Sequence, residues 1–405
     1  FKIILNKNNL ELISKFFPIL MWISISAGVL IKGPISIVIF ILTIVCFIIL
    51  TRDFSILKEV KPFLGLFILI LVISPWIILI QQKTDGVFLQ KAFQQDFLPK
   101  LFTFHESHGG YPGYYILMSI FILWPLASFI PITFFFIKKR FSNISIKFLI
   151  SWFVPFWVII ELIPTKLFHY PLPVVPPLVL LISGGILYWT KNKLHFKNHF
   201  LKNLTFILSI ILSIGGAILG VLFIYLIINY SGNKKELLIY GILLLFVFLM
   251  ITYLSIVLNV NIIFNKKYSF TKILDPKYFI IFLSILSYTI IFSKIIPNLK
   301  LLFPSQLIYK QLKKIDYDEL SIVGYHEPSL VFFLKGKLIL SSSNESVIFL
   351  AEGKNNVVLI ENRHIDNFLS SASNLNIKLN KINEIEGFNY SKGQKIKISF
   401  FKVAK

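Results

Sequence analysis

The sequence predicts a polytopic α-helical membrane protein of about nine spans, with a small C-terminal α/β domain outside the membrane. Three observations predict it. The 405 residues are 56% hydrophobic and only 15% charged, below the share of charge a soluble chain carries. Apolar runs close to the roughly 20 residues a spanning helix needs recur along most of the chain. Near residue 299 those runs stop, and 10 of the 19 acidic residues fall in 299–405. The expected division is a transmembrane helical bundle over 1–298 and an α/β domain over 299–405.

The apolar segments lie near 10–31, 34–50, 61–81, 112–137, 145–163, 171–190, 204–229, 236–258 and 278–297. The first two meet at "IKGP", where Gly33 and Pro34 stop one helix and start the next. The connections at 51–61, 138–147, 191–203 and 259–277 are basic, and they alternate with stretches at 32–33, 82–111, 164–170 and 230–235 that carry less charge per residue. Lys and Arg favour the cytoplasmic side. The second set, and everything after 298, is therefore expected on the outer face.

The tail reads as strand and helix in alternation. "ELSIVGY", "KLILSS" and "NVVLIEN" are strand-like, "EPSLVFFLK", "NESVIFLAEG" and "RHIDNFLSSAS" come between and after them, and "GQKIKISFFKV" is a strand-like finish. Such alternation argues for an α/β domain of about a hundred residues.

Composition limits the chemistry. Cys46 is the single cysteine, which excludes an intrachain disulfide and a cysteine zinc cluster. The 41 basic against 19 acidic residues give a formal net charge of +22. AT-rich coding, which favours Lys, accounts for part of this; contact with anionic lipid or phosphate would account for the rest. No nucleic-acid partner is expected. The chain opens on Phe1 without a visible signal peptide, and is expected to be a fragment that starts partway into a longer protein.

Polar side chains are scarce, and they gather in the outer loops. In 82–111, Phe88, Ala92, Phe93 and Phe97 stand near helical spacing, as in an interfacial amphipathic helix. The loop ends in "HESHGGYPGYY". His105 and His108 could hold a metal with help from Glu106, although a lone HxxH is also what two solvated histidines would give. Gly109 and Gly110 permit a close backbone approach or a simple turn. Pro112 suits the first turn of the next helix, and Tyr111, Tyr114 and Tyr115 suit an interfacial aromatic belt. The second cluster is "PTKLFHYPLPVVPP", with Lys166, His169 and Tyr170 as polar donors. Lys166 could snorkel or pair with Glu161 one turn earlier. Lys32 is a third outer cation. Together these side chains suit an anion at the membrane boundary, with lipid-linked phosphate the obvious candidate.

"GVLIKGP", Pro75-Trp76, "HESHGGYPGYYI", Trp124-Pro125 and "PTKLFHYPLP", in this order, resemble the polyprenyl-phosphate-sugar glycosyltransferases of the GT-C fold. The nearest groups are the bacterial aminoarabinose transferases of lipid A and the protein mannosyltransferases. "VGYHEPSLVFFL" and "GFNYSKGQKIKI" are similar to the C-terminal outer domain of bacterial members. The resemblance implies an inner-membrane enzyme of the cell envelope. It would transfer a sugar from a polyprenyl-phosphate donor to a hydroxyl of a glycolipid such as lipid A, a protein or another glycan, on the periplasmic side. A carboxylate in the first outer loop would act as general base, and cations with a divalent metal ion would steady the phosphate.

Carried over by position, the resemblance puts His108 at the metal, with weaker support for His105 and Glu106. Tyr170 would contact the phosphate, Lys166 would assist, and Lys32 is the motif lysine. The base is expected upstream of Phe1; Asp85 and Asp96 lie on the expected face but are not assigned to it, and the fragment alone is expected to be inactive. The alternative class is a polyprenyl-lipid flippase or transporter, which would use the same bundle and cationic pocket without glycosyl transfer.

Overall fold

Backbone amides inside a bilayer must find their partners within the chain, and the apolar segments meet that demand as helices. The computed structural model describes residues 11–92, 94, 110–192, 199–232, 235–264, 276–353, 355–390 and 392–404. The chain falls into two units, Phe1–Gly215 with Ile251–Ile280, and Gly216–Met250 with Ile281–Lys405.

The helices before the tail are α1 (Glu11–Lys32), α2 (Ile35–Thr51), α3 (Ser55–Val60), α4 (Pro62–Lys83), α5 (Val87–Lys91), α6 (Tyr114–Ile122), α7 (Ile130–Lys139), α8 (Ile144–Leu162), α9 (Val175–Asn192), α10 (His199–Tyr230), α11 (Leu238–Phe264) and α12 (Pro276–Ile290). All nine apolar segments are helical, but the count of about nine spans is not reached. Among the described residues, six helices are long and apolar enough to cross a membrane, or seven if the bent α6–α7 pair is one span. The shortfall lies at the start of the chain. Helix α2 has 17 residues, about 25 Å of helix against a hydrocarbon core of roughly 30 Å.

Two local expectations are corrected. The segment at 112–137 is not one rod: it bends by 113° between Tyr114–Ile122 and Leu126–Lys139. Pro125 cannot donate to the helical ladder, and the Trp124–Pro125 peptide is cis. The break is buried rather than lipid-facing, as irregular backbone at this depth requires. Ala127, Ser128 and Phe129 have almost no exposed surface, and Ser255 Oγ donates to the Pro125 carbonyl at 3.4 Å. Pro112, for its part, lies in the turn before α6, and Gly113 takes the cap position at φ +99°. Of the amphipathic helix expected over 88–97, α5 covers the start; the rest lies largely outside the described residues.

Within the first unit, tight helix contacts use small residues and backbone-directed donors. A Cβ on Gly65 would stand 1.9 Å from Trp22 Cε2, so glycine is what lets α4 close on α1. The Trp22 indole donates to the Val60 carbonyl at 2.7 Å. Helix α8 runs along α2, with Phe47 edge-on to Phe148 and Lys147 Nζ donating to the Leu50 carbonyl at 2.9 Å. That lysine satisfies one of the carbonyls a helix end leaves open. Deeper in, Asn259 Nδ2 donates to Ser128 Oγ (2.8 Å) and Ser209 Oγ (2.9 Å), joining three helical segments through one amide.

The tail has α13 (Pro304–Leu312), β1 (Leu320–Val323), α14 (Pro328–Phe333), β2 (Ile339–Leu340), α15 (Ser343–Glu352), β3 (Val357–Glu361), α16 (Ile365–Asn374), β4 (Leu379–Asn389) and β5 (Gln394–Val403). The sheet order is β2-β1-β3-β5-β4. Strand β1 is parallel to β2 and β3, whereas β5 is antiparallel to β3 and β4. Period-two alternation builds a core on each face. Val357 and Leu359 join Leu320, Ile322, Leu330 and Phe400, while Val358 and Ile360 join Val347, Leu350, Phe368 and Phe401. Every strand-like and helix-like stretch read in the tail takes its expected form. Helix α13 and strand β4 are the additions.

Replacing Leu359 or Phe400 by Ala removes a fully buried side chain and should destabilise the tail by about 2–5 kcal/mol, read by pulse proteolysis in urea. Acid should act on the same domain. The Ser342 backbone N–H and hydroxyl hold the Glu345 carboxyl below its ordinary value, and hydrogen bonds from Lys381 and Ser399 do the same for Glu384. Both contributions are complete above the unfolded carboxyl value of about 4.3 and fade as pH falls through the lower folded values. Stability should therefore drop on acidification below that range, with a shallower slope in a Glu345→Gln/Glu384→Gln variant.

Candidate functional site

Lys32 is the last residue of α1. Gly33, with φ +72°, turns the chain at once into α2, so the ammonium is left exposed at a helix junction. Tyr170 comes from the turn after α8, where its N–H donates to the Leu167 carbonyl at 3.0 Å. The two side chains meet: Lys32 Nζ lies 6.0 Å from the centre of the Tyr170 ring. That is the outer limit of a cation–π contact, and it sets a positive charge beside a phenol at one rim.

Beneath the rim lies a buried cluster of Tyr115, Phe156, Ile160 and Val174, against which Ile39, Trp152 and Tyr170 pack. Tyr115 is 0% exposed, and its hydroxyl donates to the Leu167 carbonyl at 2.9 Å. The aromatic-belt reading is corrected for this residue: the ring is core, and its hydroxyl holds the loop that carries Tyr170. Tyr111, by contrast, is exposed.

Two buried charges organise the loops. Glu161, 8% exposed, accepts from Gly113 N–H at 2.9 Å and Ile116 N–H at 2.8 Å. Its carboxylate thus sits on the N-terminus of α6, where unpaired amides and the helix dipole favour negative charge. Lys166, 5% exposed, donates to the carbonyls of Ile160 (2.8 Å) and Glu161 (2.6 Å), capping the end of α8. Its ammonium lies 5.3 Å from the Tyr115 ring centre. Burial lowers its pKa and the Glu161 charge opposes that shift. The simple Lys166–Glu161 ion pair is thereby replaced by two helix ends, each met by the charge it favours. Gly110 fits closely here: its N–H donates to Pro164 O at 3.1 Å, and a Cβ there would lie 2.6 Å from Lys166 Cγ.

A groove of about 460 Å³ opens beside the cluster, bounded by Ile25 of α1, Ser36, Ile39, Phe40, Thr43 and Ile44 of α2, Ile56 and Val60 of α3, and Phe148 and Trp152 of α8. The α2 residues follow helical spacing along one face for about 12 Å. Polar groups in the wall are turned away. Ser24, Ser36 and Thr43 donate to the carbonyls of Leu20, Ile25 and Ile39. The groove therefore presents an apolar surface, and it shares Ile39 and Trp152 with the cluster under Tyr170.

His105, Glu106, His108 and Asp96 lie outside the described residues. Among the described residues, no three His, Cys, Asp or Glu side chains gather as for a metal ion. Asp85 occupies a tight turn at φ +45° ahead of α5. Of the candidates, the structure brings Lys32 and Tyr170 to one rim and draws Lys166 inward. The groove was not anticipated from sequence, although the i, i+3, i+4, i+7 spacing of Ser36, Ile39, Phe40 and Thr43 already carried a mixed face within an otherwise apolar helix.

No family model and no curated protein sequence matches the chain. Among solved structures, the fold is similar to that of ArnT from Cupriavidus metallidurans bound to undecaprenyl phosphate. The TM-score is 0.59 at 14% identity, over 93% of this chain and 68% of that one. The apo state of the same protein gives 0.58 at 15% identity, over 93% and 67%. Identity at this level speaks for the fold alone, and it bears out the GT-C likeness carried by the sequence motifs.

Glu161→Gln should lower the thermal midpoint, because a buried carboxylate bonded to two amides is worth about 2–4 kcal/mol more than its neutral stand-in. Lys166→Met should do likewise. The two losses should be less than additive in the double variant, since the Glu161 charge also favours the Lys166 ammonium. Thermal unfolding of the four proteins in one detergent measures the coupling.

Proposed function

We propose that this chain holds the phosphate and the first stretch of the tail of a polyprenyl-phosphate sugar donor, as part of a membrane glycosyltransferase of the GT-C type. The observation that carries the reading is the meeting of Lys32 and Tyr170, from distant motifs, at a rim beside an apolar groove. It is supported by the fold shared with a protein solved with undecaprenyl phosphate.

In this reading the Lys32 ammonium meets the donor phosphate and offsets the charge that grows on it as the glycosidic bond breaks. The Tyr170 hydroxyl donates to a phosphate oxygen. Lys166 acts one step removed: by fixing the end of α8 it sets the turn from which Tyr170 projects. The prenyl chain lies along α2, where burial of each CH₂ group contributes about 0.8 kcal/mol. A divalent metal ion is assigned to His108, with Glu106 and His105 assisting, and would supply further charge neutralisation at the phosphate. Glu161 is not assigned as the base that takes the acceptor proton: it is buried and bonded to the amides at the start of α6, which gives it a structural role. The acceptor is a hydroxyl of a glycolipid, protein or glycan. By the Lys/Arg bias the rim and the C-terminal domain face the periplasm of a bacterial inner membrane.

In nanodiscs, affinity should rise from inorganic phosphate through geranyl phosphate to undecaprenyl phosphate, as read by competition with a fluorescent prenyl phosphate. Lys32→Ala should weaken both prenyl ligands by about tenfold, the size of one charge-assisted contact, and Tyr170→Phe by less. Affinity indifferent to chain length, or untouched by Lys32→Ala, would overturn the assignment. A flippase would bind in the same way, yet would move a labelled prenyl phosphate across proteoliposomes without any sugar leaving it.

A further inference from the structure

We propose that the C-terminal domain carries its own binding site for a sugar phosphate, in the crevice at the carboxyl ends of β1, β2 and β3. This goes beyond the prenyl-phosphate reading and uses none of its residues. The placement follows from topology. The helix after β1, α14, packs on one face of the sheet through Leu330. The helix after β2, α15, packs on the other through Val347 and Leu350. The strand order β2-β1-β3 thus reverses at β1. Where successive connections part to opposite faces, a crevice opens beyond the strand ends, and ligands bind there in open α/β sheets.

The crevice has a volume of about 630 Å³, and its lining includes Gly324, His326, Ser341, Arg363, His364 and Lys392. Such a volume suits a small polar ligand. Two cations and two imidazoles around one opening favour an anion, and the guanidinium fork matches the oxygens of a phosphoryl group. Arg363 is held for that task. Its Nε and Nη2 donate to Glu361 Oε1 at 2.7 and 2.6 Å, while its side chain stays 45% exposed. The described contacts leave three of its five N–H donors for a ligand.

Two further observations separate the crevice from a plain surface dent. Glu361 is 1% exposed, and its Oε2 has no hydrogen-bond partner. An unpaired buried carboxylate oxygen needs a donor; behind Gly324 it favours a ligand hydroxyl over a phosphoryl oxygen, so it sets the sugar end of the ligand toward Gly324 and leaves the phosphoryl group to Arg363 and Lys392. Gly324, at φ +89°, forms the crevice floor: a Cβ on it would stand 2.5 Å from His364 Cδ2 and 3.0 Å from Glu361 Oε2. The backbone is bare where β1 ends, so that the Glu361–Arg363 pair and His364 come up against the opening. In the bound state the phosphoryl group lies on Arg363 and Lys392. The sugar hydroxyls meet Ser341 and the imidazoles.

The test is calorimetric titration of the full chain in phosphatidylcholine nanodiscs with glucose 1-phosphate, glucose and inorganic phosphate. Saturable binding of glucose 1-phosphate is expected, at least tenfold tighter than glucose and tighter than phosphate. Lys392→Gln, an exposed and structurally silent change, should weaken it three- to tenfold. Arg363→Lys, which keeps a cation beside Glu361, should weaken it more. Lys32→Ala should leave it unchanged, which separates this site from the prenyl-phosphate rim. Repeating the titration in phosphatidylglycerol discs identifies the source of the phosphoryl group. Apparent affinity lowered in wild type but not in Lys392→Gln supports a lipid headgroup as the natural occupant; equal affinity supports a soluble one. No saturable binding, glucose bound as well as its phosphate, or indifference to both Lys392→Gln and Arg363→Lys would overturn the proposal.

Discussion

The rim depends on a carboxylate buried at the start of a helix. Without water, the open amides of α6 and the open carbonyls of α8 need partners from the chain itself. Glu161 supplies the first and Lys166 the second. Because the donor and acceptor residues are neighbours in sequence but serve different helices, the pair ties the two loops into one piece. Tyr115 completes the tie through the Leu167 carbonyl. The position of Tyr170, and so its approach to Lys32, follows from that network together with its own N–H bond to the Leu167 carbonyl and its packing on the cluster beneath.

Much of this was legible in the sequence, for identifiable reasons. Apolar runs betray helices wherever the backbone must bond to itself, so all nine segments were found. Their lengths misled where a run contained a hidden break. The 112–137 segment is apolar throughout, and only Trp124-Pro125 marks the bend. In the tail, short apolar strands flanked by turn residues were readable because β1 and β3 are buried on both faces. Strand β4 escaped because "LNKINEIEGFN" is an edge strand with polar side chains over most of its length. Its pairing is fixed by β5, at a distance the local pattern does not record.

At the rim, the residue types were readable and the roles were not. Lys166 and Glu161 announced themselves as rare charges near a membrane boundary, yet their partners are backbone groups, which have no letter in a sequence. Tyr115 looked like its neighbours Tyr111 and Tyr114, and only packing separates the buried ring from the exposed one. The Lys32–Tyr170 meeting needed the motifs to be recognised together, since nothing local to either residue points to the other.

The wall along α2 has a property that follows from where its hydroxyls point. With Ser24, Ser36 and Thr43 all turned into helix carbonyls, no polar atom is left to grip a hydrocarbon chain at a fixed place. Such a surface rewards each carbon it covers but cannot sense where a double bond falls. An occupant would be free to slide along it, anchored only at its charged end, so lipids of differing saturation and branch geometry would be admitted alike. Discrimination among them would have to come from the head, not the tail.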